Sequence, residues 1–211
     1  MPFVTDRDLL IFEPSLFRDY SWAGQTLASA SDASIAGTTL TSASSDFLGA
    51  GAQPGMVALV GGASLEIVAV AGATTLTISR PRERPEDPAL PPLTVTGAAL
   101  RIATFAPQIA LMHEEILRLL GVSAVGGVTP DEHDILNPRS LSRLEALGAL
   151  HAVFFGAAAS QGADTPLWAR AAHYRERFLD EKRQTFAHID LDGDGKADAV
   201  RRPGLARLRR A

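Results

Sequence analysis

Cysteine is absent from all 211 residues, which excludes disulfides, thiolate metal sites and cysteine nucleophiles. Aromatic residues make up only 6% of the chain, and both Trp and both Tyr lie outside residues 24–104. The middle of the chain therefore lacks the Trp and Tyr surfaces on which sugars stack. Neither sign of charge dominates: 20 Lys and Arg face 24 Asp and Glu, for a net charge of −4. That balance argues against a nucleic-acid coat and against a disordered acidic tail. No apolar run reaches the roughly 18 residues that cross a bilayer; the most apolar stretch, Ala146 to Ala158, is shorter and contains His151. The opening residues Thr5, Asp6, Arg7 and Asp8 put acids where a signal peptide has a basic region followed by an apolar one. The expectation is a chain that stays in the cytoplasm of the cell that makes it, with no membrane partner. There is no P-loop, no dinucleotide fingerprint and no Gly-x-Ser-x-Gly elbow, so no catalytic residue is assigned and an enzyme is not expected.

What is present divides the chain by composition. Residues 1–23 read as helical: Thr5 with Asp8 resembles a capping box ahead of Leu9, Leu10, Ile11 and Phe12, and Pro14 interrupts before a further turn at Ser15 to Tyr20. Residues 24–104 are rich in Ala, Gly, Ser, Thr and Val. Short β-branched runs alternate there with Gly: Thr38 to Thr41, Met56 to Val60, Leu65 to Val70, Thr74 to Ile78, Leu93 to Thr96 and Leu100 to Thr104. Such runs, divided by Pro54-Gly55 and Gly61-Gly62, predict a small barrel or sandwich. Ala36 to Thr41 is echoed by Ala71 to Thr77, which marks two similar hairpin arms. Pro81 to Pro92 reads as an exposed loop.

Residues 105–190 are helical again. One helix is predicted from Pro107 to Leu120, stopped by Gly121, with Ile109, Met112, Ile116, Leu119 and Leu120 as its apolar stripe. Thr129-Pro130-Asp131-Glu132 reads as a capping box for a short helix. Asn137-Pro138 opens a long helix carrying Leu141, Leu144, Leu147, Leu150, Phe154 and Phe155, thinned by Gly148, Ala149 and Ala152. Asp164-Thr165-Pro166 opens another. The expected class is α+β: a helical-bundle scaffold (1–23 and 105–190) interrupted by a small all-β barrel or sandwich module (24–104), with an Asp/Gly turn and an extended basic C-terminal arm (191–211).

Four features bear on function. Asp190, Asp192, Asp194 and Asp198, with Gly195 at the sixth position, match the ligand spacing of a calcium loop, although Arg201 stands where a bidentate Glu is expected. The same Asp and Gly residues also build a plain polar turn, and no other cofactor is indicated. Asp131, Glu132, His133 and Asp134 are explained as acids opposing the positive end of a helix dipole. His113 beside Glu114 is not a pair, because adjacent helical residues face apart. Five arginines, Arg201, Arg202, Arg207, Arg209 and Arg210, fall in the last eleven residues with no acid after Asp198, and Leu205 and Leu208 interrupt them. That pattern suits docking in a groove of an acidic protein partner more than binding to DNA.

The order of these elements resembles that of head–tail connector (adaptor, or head-completion) proteins of tailed phages and prophages. The residues that carry the resemblance are Thr5-Asp6-Arg7-Asp8-Leu9-Leu10, Glu13-Pro14 and Phe17-Arg18-Asp19, the helix around Leu141 to Phe155, the run Trp168 to Phe178, and the Asp/Gly turn with its basic arm. The segment Pro54 to Pro81 also resembles small barrel modules of phage virion proteins. The resemblance implies a structural protein of the virion neck, made in the host cytoplasm and forming a ring, typically dodecameric, between portal and tail. DNA would pass through the ring without sequence-specific binding. Arg201, Arg202, Leu205, Arg207, Leu208, Arg209 and Arg210 would dock on the portal. Two alternatives stand beside this reading: another neck or tail-completion protein, and, from a different class, a calcium-dependent carbohydrate-binding protein or enzyme.

Overall fold

The computed structural model describes residues 1–20, 25–124, 130–161 and 165–204. The fold is α+β. The chain divides into two compact units, Thr5–Ala106 and Met1–Val4 with Pro107–Ala211.

The first unit is built on a closed six-stranded antiparallel barrel. Its strands are β1 (Thr26–Ala36), β2 (Thr39–Thr41), β3 (Val57–Val60), β4 (Ala63–Gly72), β5 (Thr75–Ser79) and β6 (Val95–Ala103), ordered β1-β2-β5-β4-β3-β6 around the barrel. Alternate residues point inward, and Ile35, Leu40, Val60, Ile67, Leu76, Ile78, Leu100 and Ile102 fill the interior with Phe47 from a loop. Closure leaves none of these strands as an open edge. The two echoed segments end in strands that pair with each other, Leu40 opposite Leu76 and both fully buried. Where β1 bulges between Ala30 and Ala33, Asp32 accepts bonds from the Ser42 hydroxyl (2.5 Å) and the Ser44 hydroxyl (2.8 Å). These two hydroxyls hold the Asp32 pKa down at about 2.

Two short helices, α1 (Asp6–Phe12) and α2 (Leu16–Asp19), belong to this same unit. The sequence had grouped residues 1–23 with the helical domain. The difference has a physical cause: Leu9, Leu10, Leu16 and Phe17 are buried within the barrel unit, and Phe17 meets Phe105 edge-on at 5.1 Å. The predicted cap is present, with the Asp8 carboxylate accepting from the Thr5 N–H at 2.8 Å. Gly55 allows the approach of α1, since a Cβ there would stand 2.9 Å from Thr5. The Pro81–Pro92 segment is largely exposed as expected, but Arg82 is buried with Glu66 and Arg7.

The second unit contains α3 (Ala106–Leu120), α4 (Arg139–Gln161), α5 (Pro166–Gln184) and a two-stranded sheet of β7 (Ala187–Ile189) and β8 (Ala199–Arg201). α4 and α5 pack with Phe154 stacked on Tyr174 at 5.3 Å. Gly148 lets α3 approach α4: a Cβ there would lie 2.5 Å from the Met112 sulfur. The short helix expected after Thr129 is a single 3-10 turn, Glu132–Asp134, capped by Asp131. Asp131 takes over as cap because its carboxylate accepts the His133 N–H at 2.8 Å; Thr129 lies outside the described residues.

Candidate functional site

The Asp-rich segment is the loop of the β7–β8 hairpin. Asp190 is its anchor. It is 6% exposed, and its two carboxylate oxygens accept the N–H groups of Gly193 (2.7 Å) and Gly195 (2.8 Å). Those backbone bonds, that of Gly195 first, lower the Asp190 pKa and keep it ionised. Asp192 accepts from the Asp194 N–H at 3.1 Å, and Asp194 from the Lys196 N–H at 2.8 Å. The two bonds to Asp190 fold the loop back toward it. One carboxylate oxygen from each of Asp190, Asp192 and Asp194 falls within 4.8 Å of the others.

That spacing fits a calcium ion. An ion about 2.3–2.6 Å from each oxygen keeps its ligands within about 5 Å of one another. Three of the four predicted carboxylates therefore converge. The fourth, Asp198, instead accepts the Leu191 N–H at 2.7 Å and closes the loop at its base. Lys196 places its ammonium 3.0 Å from Asp194, supplying positive charge where a cation would otherwise sit.

Arg201, the residue at the twelfth position, is committed elsewhere. It ends β8, and its guanidinium donates to the carbonyls of Leu120 (2.9 Å) and Gly121 (2.7 Å), so it caps the C-terminus of α3. Arg202 follows it and is exposed. Leu205, Arg207, Leu208, Arg209 and Arg210 lie outside the described residues. The first residue of the segment expected to dock, Arg201, is thus engaged within its own fold.

No protein family, curated protein or solved structure matches this chain. Its chemistry is read from its own geometry.

Sequence reasoning missed a second cluster in this unit. His113, on α3, is 5% exposed and does not pair with Glu114. Its Nδ1 lies 2.7 Å from Glu145 on α4, and its Nε2 lies 3.4 Å from Glu132 of the 3-10 turn. Nε2 is buried and has no hydrogen-bond partner. Glu145 is fully buried and also accepts the Val4 N–H at 2.8 Å. Glu132 is further paired with the Met1 amino group. So the acidic quartet is not only a dipole feature: Glu132 faces a buried histidine, while His133 points to solvent beside Asp131. The signal was available in the phase of the helices. His113 lies in register with Ile109, Ile116 and Leu117, and Glu145 with Leu141 and Leu144. Polar residues in two buried stripes must find partners, and here they find each other.

Among the described residues, no helix is long and apolar enough to cross a membrane.

Proposed function

We propose that this chain is a structural virion protein of a tailed phage, a head–tail connector that forms a homo-oligomeric ring between portal and tail. The observation that carries the reading is the order of elements: two short helices, a self-contained barrel, three longer helices and a basic segment beyond β8. The helices of residues 105–190 act as the bundle scaffold of the ring, and the segment after β8 acts as its extended arm. Apolar side chains left in water on the helical unit support association with further copies: Leu111 is 63% exposed, Phe155 48% and Phe186 40%. Neck proteins and DNA in the channel complete its surroundings, and its work is mechanical rather than catalytic.

With Arg201 held by α3, docking on the portal falls to Arg202, Leu205, Arg207, Leu208, Arg209 and Arg210. Their guanidinium groups suit carboxylates on the partner. The test is electron microscopy of the purified protein, alone and mixed with portal, at two salt concentrations. Rings that attach to portal, with attachment lost on removing residues 205–211, are the expected result. A monomer in every context, the virion included, overturns the assignment.

The convergence of Asp190, Asp192 and Asp194 favours one addition. A calcium ion held by these three would fix the hairpin from which the arm departs. The ion is structural in this reading. A calcium-dependent sugar-binding protein or enzyme is its rival, and glycan-array binding that requires calcium would support that rival.

A further inference from the structure

We propose that His113, Glu145 and Glu132 form a proton-operated latch that holds Phe3 and Val4 against α3 and α4 and releases them as pH rises. The polar contacts of these two residues lie around the histidine. Val4 donates its N–H to Glu145 at 2.8 Å. The Phe3 carbonyl accepts the Ser142 hydroxyl at 3.1 Å, and the Phe3 ring meets the His113 ring edge-on at 4.6 Å. Val4 itself is 4% exposed. The groups facing His113 are two carboxylates, Glu145 from α4 and Glu132 from the 3-10 turn, the latter also bound by the Met1 amino group.

The protonation state decides whether this arrangement is favourable. A charged imidazole has an N–H at both ring nitrogens. It donates to Glu145 from Nδ1 and turns the second N–H toward Glu132. A neutral imidazole that keeps the Glu145 bond has a lone pair at Nε2, facing a carboxylate 3.4 Å away. Glu145 then lacks a positive partner in a fully buried place, which is a costly condition. Opening the Phe3–Val4 segment admits water to both carboxylates.

The direction of titration agrees. Burial pulls the His113 pKa down, but Glu145 and then Glu132 outweigh it, and the net shift is upward. Burial raises the pKa of Glu145, against the lowering effect of His113. Burial also acts to raise Glu132, but the Met1 amino group and His113 overcome it and the net shift is downward. A raised His pKa means that the latched state binds its proton more tightly than the open state. The His113 contribution to closure is therefore complete below the ordinary His value of about 6.5 and is lost as pH rises through the folded value. The raised Glu145 value acts in the same sense at lower pH.

Hydrogen exchange at the Val4 amide tests this on the full chain, together with NMR titration of the His113 ring. The Val4 protection factor is expected to fall by up to tenfold per pH unit between about 6.5 and the folded His113 value, the limit for one linked proton. His113→Gln should make the profile flat. Glu132→Gln, which leaves the Glu145 bond in place, should lower the His113 midpoint and move the loss of protection to lower pH. Protection of Val4 that is constant from pH 6 to 9, or a His113 midpoint at or below the ordinary value, overturns the latch.

Discussion

The barrel unit and the helical unit both bury charge, but they neutralise it in different ways. In the barrel unit, Glu66 on β4 is fully buried between two arginines. Arg7 of α1 donates its Nε to Glu66 at 2.8 Å and its Nη1 to Asp8 at 2.8 Å, and Arg82 pairs with the other Glu66 oxygen. Arginine stays protonated at any accessible pH, so this clamp is permanent. In the helical unit the buried carboxylate Glu145 is met by His113, whose charge comes and goes near neutrality. The lesson concerns the choice of cation. An arginine partner fixes α1 on the barrel, whereas a histidine partner makes a contact that the medium can loosen.

The comparison breaks most visibly at Glu66. Glu66→Gln keeps the shape and leaves Arg7 and Arg82 facing each other without their shared anion. Stripping one partner from a buried ion pair costs about 3 kcal/mol or more. Urea unfolding should show a loss of that size, equal at pH 6 and pH 8. A cost below about 1 kcal/mol would mean that the arginines find other acceptors and that the clamp adds little.

Asp6 is the point where the barrel unit departs from its own rule. It is 3% exposed and has no cation beside it among the described residues; its carboxylate accepts the Phe105 N–H at 2.7 Å. Burial raises its pKa from 3.8 to about 6, against the lowering effect of the bonds from Thr104 and Phe105. Because the folded value lies above the unfolded one, the stabilising contribution is complete below pH 3.8 and is lost as pH rises through about 6. The loss at neutral pH is about 3 kcal/mol. Asp6→Asn keeps the acceptor for Phe105 and removes the charge. It should raise stability by about 2 kcal/mol at pH 8 and by nothing at pH 4, measured by urea unfolding at both. Equal effects at both pH values would place the Asp6 titration elsewhere.

The same contrast explains what the sequence could tell. Strands built from β-branched runs were legible, as were a small β module (barrel or sandwich), the helix from Pro107 to Leu120 and the opening of α4 at Asn137-Pro138. β1 was not. Its sequence, Thr-Leu-Ala-Ser-Ala-Ser-Asp-Ala-Ser-Ile-Ala, has little β propensity, and it is a strand because β2 and β6 pair with it on either side. β6 was read as two runs divided at Gly97, yet pairing with β1 carries one strand through that glycine. The Asp loop was legible because its ligands are close in sequence. For the His113 cluster, helix phase marks His113 and Glu145 as buried polar residues in need of partners, but Glu132 and Glu145 come to the histidine from two other elements, and pairing across such distances leaves no local pattern. Asp198 marks the opposite case: its spacing is right for a ligand, but its carboxylate serves the hairpin itself.

The smallest expected effect compares one carboxylate of the barrel unit with three in the hairpin loop of the other unit. Asp32 in the barrel unit is saturated by hydroxyl donors from Ser42 and Ser44, which leaves little capacity for a cation. Asp190, Asp192 and Asp194 accept mostly backbone N–H bonds, and one oxygen of each lies within 4.8 Å of the others. Calcium should therefore bind only at the hairpin loop. With three converging carboxylates and no bidentate twelfth ligand, the affinity should be on the order of millimolar. At a calcium concentration equal to the dissociation constant, the gain in stability is only about 0.4 kcal/mol. Calorimetry is the more sensitive measurement, and Asp192→Ala should abolish its signal. Lys196→Ala should strengthen binding, because the ammonium 3.0 Å from Asp194 no longer competes with the ion. If the protein gives no heat with several millimolar calcium, and Lys196→Ala does not create any, the loop is a turn closed by its own aspartates and the hairpin owes nothing to metal.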